Sequence, residues 1–170
     1  MNPRPAGQTS ALRNATESDV PVVLQLVREL AAYEGLLDEV VVTEDDLRQA
    51  LFGPERRVYA LLAEIDGESV GLALWCYTFT TFRGQPILFL EDLFVKPSWR
   101  GCGVGLALLR SLAQRAIAEK CHRMEWRVLN WNAPSIAFYE RIGAVRMDNW
   151  HVRRLGGDAL TALASGAQHG

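Results

Sequence analysis

Cysteine is scarce in this 170-residue chain: Cys76, Cys102 and Cys121 are the only three, odd in number, scattered, and with no pair at metal-ligand spacing. That excludes a disulfide framework and a thiolate zinc site, so a reducing, cytoplasmic setting is the expectation. No apolar run approaches the roughly 18 residues needed to cross a bilayer, and no membrane partner is expected. An excess of positive charge is missing as well. With 18 Lys and Arg against 20 Asp and Glu, the formal net charge is −2, which lacks the basic field a phosphate backbone demands and sets nucleic acid aside as a partner. Histidine is limited to His122, His151 and His169, none beside a nucleophile motif, so Ser/His/Asp or Cys/His hydrolysis is not expected, and neither is a metal. Residues 1–10 lack the apolar core of a signal peptide and read as a flexible arm, while 157–170 read as a weakly ordered tail of small residues.

What is present is the material of a core: 49% hydrophobic and 22% charged residues, enough for one domain over 11–156. Val20, Val23, Leu24, Val27, Leu30 and Ala31 keep helical spacing behind Thr16 or Ser18 as cap, and that helix should end near Gly35. Thr43 with Asp46 three residues on predicts a second short helix through Leu51, stopped by Gly53-Pro54. Val58–Ile65 and Val70–Phe79 read as strands joined by a tight turn at Asp66-Gly67. Ile87–Val95 is a nearly continuous apolar strand ending at Pro97, and a long helix is expected from about Gly103 to Lys120. Arg123–Leu129 is a further strand, Pro134–Ile142 a helix closed by Gly143, and Ala144–Met147 and His151–Leu155 are the last strands expected. The class is α+β.

The segment from Val95 to Gly105 joins a buried strand directly to a helix start and holds Gly101, Gly103 and Gly105. Lacking Cβ atoms, these residues let backbone amides approach a ligand, and the free N–H groups of a first helical turn favour an anion such as a pyrophosphate. Arg100 can add a charge. The P-loop is excluded because no Gly-Lys-Ser or Gly-Lys-Thr follows, and the dinucleotide fingerprint fails because Leu106 stands where its third glycine belongs. The three glycines by themselves also suit a helix start built only for tight packing.

Glu91 and Asp92 interrupt the apolar strand at its centre. Adjacent strand residues face opposite layers unless a bulge intervenes, so at least one carboxylate is expected to be shielded from water, a costly position without a partner. A cationic ligand can supply that partner, as can a structural ion pair with an arginine, for which Asp92 is the better candidate. Between Glu34 and Asp46 stand Glu34, Asp38, Glu39, Glu44, Asp45 and Asp46 with no basic residue, a run that attracts cations or simply forms a solvated loop and helix cap.

Taken with its preceding strand, Leu88-Phe-Leu-Glu-Asp-Leu-Phe-Val-Lys-Pro-Ser-Trp-Arg-Gly-Cys-Gly-Val-Gly105 resembles the acetyl-CoA-binding motif of the GNAT superfamily, with Arg100, Gly103 and Gly105 at its fixed positions. Trp131-Asn-Ala-Pro-Ser-Ile-Ala-Phe-Tyr-Glu-Arg-Ile-Gly-Ala144 resembles that superfamily's later motif. Glu29-Leu-Ala-Ala-Tyr-Glu34 and Leu90-Glu-Asp92 make the diamine (spermidine/spermine and thialysine) acetyltransferase branch the nearest. The resemblance implies a mixed, strongly bent sheet of about six to seven strands flanked by about four helices and splayed between its fourth and fifth strands.

It further implies an N-acetyltransferase with acetyl-CoA as cosubstrate, acting on the primary amine of a small cationic metabolite, in a branch whose members commonly form homodimers. Carried over by position, backbone groups of Leu93, Phe94 and Val95 would contact the pantetheine. Arg100, Gly101, Cys102, Gly103, Val104, Gly105 and Leu106 would hold the diphosphate, and Asn132, Ala133, Pro134 and Ser135 would line the cofactor too. Tyr33 and Glu34 match the branch's acceptor-side pair, with Glu91, Glu125, Trp126 and Asp148 as further substrate candidates.

An amine with a pKa of roughly 10.4 must lose a proton before it attacks a thioester, and Glu91, directly or through water, is the candidate base. Tyr139 resembles the family's acid, which protonates the departing thiolate; its spacing with Ile136 and Ile142 also suits a packing aromatic. Polyamine-specific relatives carry an acidic residue where this chain has Thr80, although an aromatic is kept at Phe82, which points to a shorter amine such as thialysine or lysine. A peptide or protein acetyltransferase and a noncatalytic acyl-CoA-binding domain remain as alternatives.

Overall fold

The computed structural model describes residues 10–166. All of the arm expected over 1–10 except Ser10, and residues 167–170 of the expected tail, lie outside the described residues. The chain divides into two compact units, Met1–Arg127 and Val128–Gly170.

In the first unit, β1 (Ala11–Asn14), β2 (Tyr59–Ile65), β3 (Glu68–Thr80), β4 (Gln85–Val95) and β5 (Met124–Trp126) form one sheet in chain order. The first four pair antiparallel, β5 lies parallel to β4, and the sheet is therefore mixed. Helices α1 (Val20–Glu34) and α2 (Glu44–Phe52) precede β2, and α3 (Val104–Ala118) makes the crossover from β4 to β5 that a parallel pair requires.

Local chemistry explains the boundaries. Thr43 and Asp46 form the reciprocal cap of α2: the Asp46 amide donates to Thr43 Oγ1 at 3.2 Å and the Thr43 amide to Asp46 Oδ2 at 3.0 Å. Thr16 caps a 3₁₀ turn over Glu17–Asp19 that leads into α1, and α1 stops at Glu34, with Gly35 beyond it in the left-handed region.

The two sheet faces bury different partners. Leu62, Leu72, Leu74 and Phe94 pack with Val20, Val23 and Leu24 of α1 and Leu47 and Leu51 of α2. The opposite face takes α3, and Gly71 makes that approach possible: a Cβ there would stand 3.1 Å from Val104 Cγ1 and 3.2 Å from Leu108 Cδ1.

In the second unit, α4 (Ala133–Arg141) and α5 (Gly157–Ala164) are the α-helices. The expected strands Ala144–Met147 and His151–Leu155 do not form; both stretches are irregular among the described residues. Alternating apolar residues specify a strand only where a neighbour supplies ladder hydrogen bonds, and Val145, Met147 and Val152 remain exposed. Among the described residues the sheet accordingly has five strands rather than six to seven, and α-helices number five rather than about four, because 157–164 of the expected tail is helical. β5 is also shorter than the Arg123–Leu129 read from the sequence.

Candidate active site

A β-bulge builds the centre of the site. Leu74 pairs with Asp92 and Trp75 with Leu90, so Glu91 is the extra residue on β4. One inserted residue reverses the strand's facing. Before it, Leu88 and Leu90 lie on the Trp75 side with α3; after it, Asp92 and Phe94 lie on the Leu74 side with α1. Simple alternation through 91 and 92 is therefore broken at the very residues that carry charge.

The two carboxylates differ in surroundings. Glu91 is exposed, whereas Asp92 is half-buried, and burial first, then the charges of Glu91 and Glu34, push its carboxyl up to about 6. Burial likewise raises Glu34, which ends α1 on the same side of the sheet. None of the described lysines or arginines forms an ion pair with Glu34, Glu91 or Asp92, which removes the structural-pair alternative for Glu91 and Asp92. The remaining acids of the 34–46 run divide: Asp46 is spent on the α2 cap and Asp45 pairs with Arg48, as a solvated helix start would have it.

Below this pair, β4 loses its neighbour. The β4–β5 ladder ends at Leu90 with Trp126, so Asp92 to Val95 keep a ladder with β3 alone. In an antiparallel pair alternate residues turn their N–H and C=O outward, so only alternate residues among Leu93 to Val95 face the side β5 has left, and the Val95 carbonyl accepts from Arg100 Nε. Phe94 is buried, while Leu93 and Val95 are half-buried.

The chain then enters the glycine turn. A 3₁₀ turn at Pro97–Trp99 leads to Arg100, and Gly101 and Gly103 both have positive φ, 76° and 82°. Nothing lies within 4 Å of where a Cβ would be at either residue. Gly103 is the N-cap of α3, so the amides of its first turn lack intrahelical acceptors and lie at an exposed surface with Cys102 and Leu106. The turn is open, not packed. Val104 alone points into the core, and Gly105 is half-buried. Arg100 itself is held back on the protein: its Nε donates to the Val95 carbonyl at 3.0 Å and its guanidinium lies 4.3 Å over the Tyr33 ring. A cradle of glycines at a helix N-terminus can accept an anion such as a diphosphate. No group of three His, Cys, Asp or Glu that could hold a metal ion exists among the described residues.

The other candidates are distributed as follows. The register puts Glu125 on the Asp92 side of the sheet, ion-paired to Arg123, and puts Trp126 on the α3 side, away from the carboxylates. In the second unit, Asn132 is buried and its Oδ1 accepts from the Ser135 amide at 3.3 Å, so that side chain caps α4. Ala133 and Pro134 are exposed and Ser135 is half-buried. Tyr139 is half-buried with its ring 5.4 Å from that of Phe138, and α4 contains no fully buried residue. Asp148 is exposed and paired to Arg146.

Sequence reasoning passed over two features. Gly71 could have been found as a lone glycine inside an apolar strand, the usual sign of a close approach. The contact of Arg100 with Tyr33 left no signal, because nothing in residue spacing brings positions so far apart together.

A sequence profile of the family described as "Acetyltransferase (GNAT) family" matches residues 25–144. The chain is 36% identical over 164 residues to the thialysine N-epsilon-acetyltransferase of Bos taurus, covering 90% of this chain and 96% of that protein. It is 34% identical over 163 residues to the spermidine/spermine N(1)-acetyltransferase-like protein 1 of Homo sapiens, covering 90% of this chain and 23% of that protein. Among solved structures, an integron cassette protein from the mobile metagenome of V. cholerae superposes with a TM-score of 0.78 at 26% identity, over 93% of this chain and 99% of that one. No described helix is long and apolar enough to cross a membrane.

Proposed function

The chain belongs to the GNAT acetyltransferase family, on its diamine and thialysine branch, and is an acetyl-transferring enzyme; on that premise we propose that it moves acetyl from acetyl-CoA to the primary amine of a small cationic metabolite. The observation that carries this reading is a single strand, β4, with an unpaired carboxylate pair at its bulge and an open glycine turn at its end.

Bound acetyl-CoA would supply the acetyl group as a thioester. The amides of Gly101 to Leu106, with Arg100, would hold its diphosphate, the β4 backbone at Leu93, Phe94 and Val95 its pantetheine, and Asn132 to Ser135 would line it further. Each amide bond to a charged oxygen contributes roughly 1.5–3 kcal/mol, enough in sum to retain an anion. The uncompensated charge of Glu34, Glu91 and Asp92 favours a cationic acceptor, with Tyr33 beside it.

An amine with a pKa of roughly 10.4 arrives protonated. Glu91 takes that proton, directly or through water. Asp92, held at about 6, adds negative charge facing a cationic amine once it ionises, so amine kcat/KM should rise as pH increases through that value. Tyr139 donates its hydroxyl proton to the departing sulfur. Thr80, in place of an acidic residue, favours a short amine of the lysine or thialysine kind over a long polyamine, and the name of the Bos taurus relative supports that choice. A homodimer is the assembly proposed, to be read by light scattering.

The test is thiol release from acetyl-CoA against a panel of thialysine, lysine, ornithine, polyamines and peptides. Turnover confined to peptides, or none at all, rejects the small-amine assignment. Glu91→Gln and Tyr139→Phe should each lower kcat roughly a hundred- to ten-thousandfold while coenzyme A still binds by calorimetry; an undiminished kcat removes the role from that residue.

A further inference from the structure

We infer that Arg100, beyond any charge it offers a diphosphate, is a positioning residue for the amine acceptor, because its side chain ties the end of α1, bearing Tyr33 and Glu34, to the end of β4. The inference rests on the acetyl-transfer reading above.

The contact is anchored at both ends. Arg100 Nε donates to the Val95 carbonyl at 3.0 Å, its guanidinium carbon stands 4.3 Å from the Tyr33 ring centroid, and it lies 5.8 Å from that of Phe94, which is fixed in the core. The far side of the link is a helix terminus. α1 ends at Glu34, Gly35 turns left-handed, and the following residues to Thr43 hold only a 3₁₀ turn at Leu37–Glu39, with no strand to brace them. Helix ends of this kind fray unless something covers them. Tyr33 is 37% exposed, so its ring can be covered by a planar cation without being buried.

Arginine suits this duty in a way lysine does not. A guanidinium stacks on an aromatic face while an N–H donates in its own plane, whereas an ammonium keeps the charge and loses both features. Holding Tyr33 holds Glu34, the next residue, on the side of the sheet where Asp92 lies. Releasing it lowers the population of chains whose acceptor side is assembled, and the apparent affinity for amine falls by that fraction.

Two measurements test this on the full chain. Hydrogen exchange is followed without substrate at the Gly35 and Leu36 amides, which donate to the Ala32 and Ala31 carbonyls at 3.3 and 2.8 Å. Arg100→Lys and Tyr33→Leu should each speed it by about two- to fivefold, the size of one exposed cation–π contact, and the double variant should be no faster than either single one. In steady-state kinetics the loss of amine kcat/KM in Arg100→Lys should come from a two- to fivefold higher KM for amine, and Tyr33→Leu should add nothing to it. Parental exchange rates in Arg100→Lys, or single-variant effects on KM that multiply in the double variant, overturn the inference. Failure to acetylate any amine sinks the functional reading separately, since the exchange arm still decides whether Arg100 holds the end of α1.

Discussion

Replacing Asp92 by asparagine should make the protein more stable, and only at the pH where the carboxyl would be charged. The Asp92 carboxyl titrates at an ordinary 3.8 in the unfolded chain and at about 6 in the fold. Its folded value lies above its unfolded value, so the fold opposes the charged form. The penalty is absent below 3.8, grows between 3.8 and 6, and is complete above 6. A difference of that size corresponds to about 3 kcal/mol, an upper figure because the loop and Glu34 relax around the charge. An asparagine amide carries no such penalty, so the Asp92→Asn variant and its parent should match near pH 4, while the variant gains about 1–3 kcal/mol by pH 7.5. Urea unfolding at pH 4, 5, 6 and 7.5 reads this directly, provided the two proteins share one slope and separate probes give coincident transitions. Asp19 and Glu64, whose shifts come from Arg13 and not from Asp92, are common to both and cancel in the difference. A gain that stays flat from pH 4 to pH 7.5, or a loss at pH 7.5, refutes the claim that Asp92 is ionised at a cost.

Three further outcomes follow from the geometry. Gly103→Ala places a Cβ at φ 82° in open space, so stability should fall by about 1 kcal/mol from backbone strain alone, and coenzyme A affinity by calorimetry should fall as well. Gly71→Ala drives a methyl group to 3.1 Å from Val104 and 3.2 Å from Leu108, and thermal unfolding should show a loss of about 1–3 kcal/mol as α3 is pushed off the sheet. Arg13 donates to Asp19 at 2.6 and 2.8 Å and to Glu64 at 2.6 Å, and holds both carboxyls below their usual range. That stability is present above the ordinary Asp and Glu values and is lost as pH falls below them, so Arg13→Met should lower the melting temperature at pH 7 and lose its effect towards pH 2.

Much of the architecture was legible because local rules and burial agreed. The cap at Thr43 and Asp46, the stop at Gly35, the turn at Asp66-Gly67 and the glycine turn into α3 each depend on a few neighbouring residues, and each forms where the sequence places it. The two terminal strands failed because a strand is completed by another strand: Ala144–Met147 and His151–Leu155 have the side chains for one and no ladder among the described residues. The site was half legible. Residue type alone marked Glu91 and Asp92 as out of place, but their roles in the electrostatics could not be ranked, and Asp92, read as the better structural partner, is the carboxyl whose ionisation the fold resists.

By itself, then, the sequence determined what short-range chemistry can determine: an α+β chain, a glycine-lined helix start fit for an anion, and two carboxylates inside an apolar strand. Tertiary structure decided what depends on which strand lies beside which. The register of β3 against β4 inserts Glu91 as a bulge and turns Asp92 towards α1, and the early end of β5 leaves the lower edge of β4 unpaired. Facing alternates with every residue along a strand, so one unpaired position reverses all that follow it, and no local pattern of side chains encodes that count.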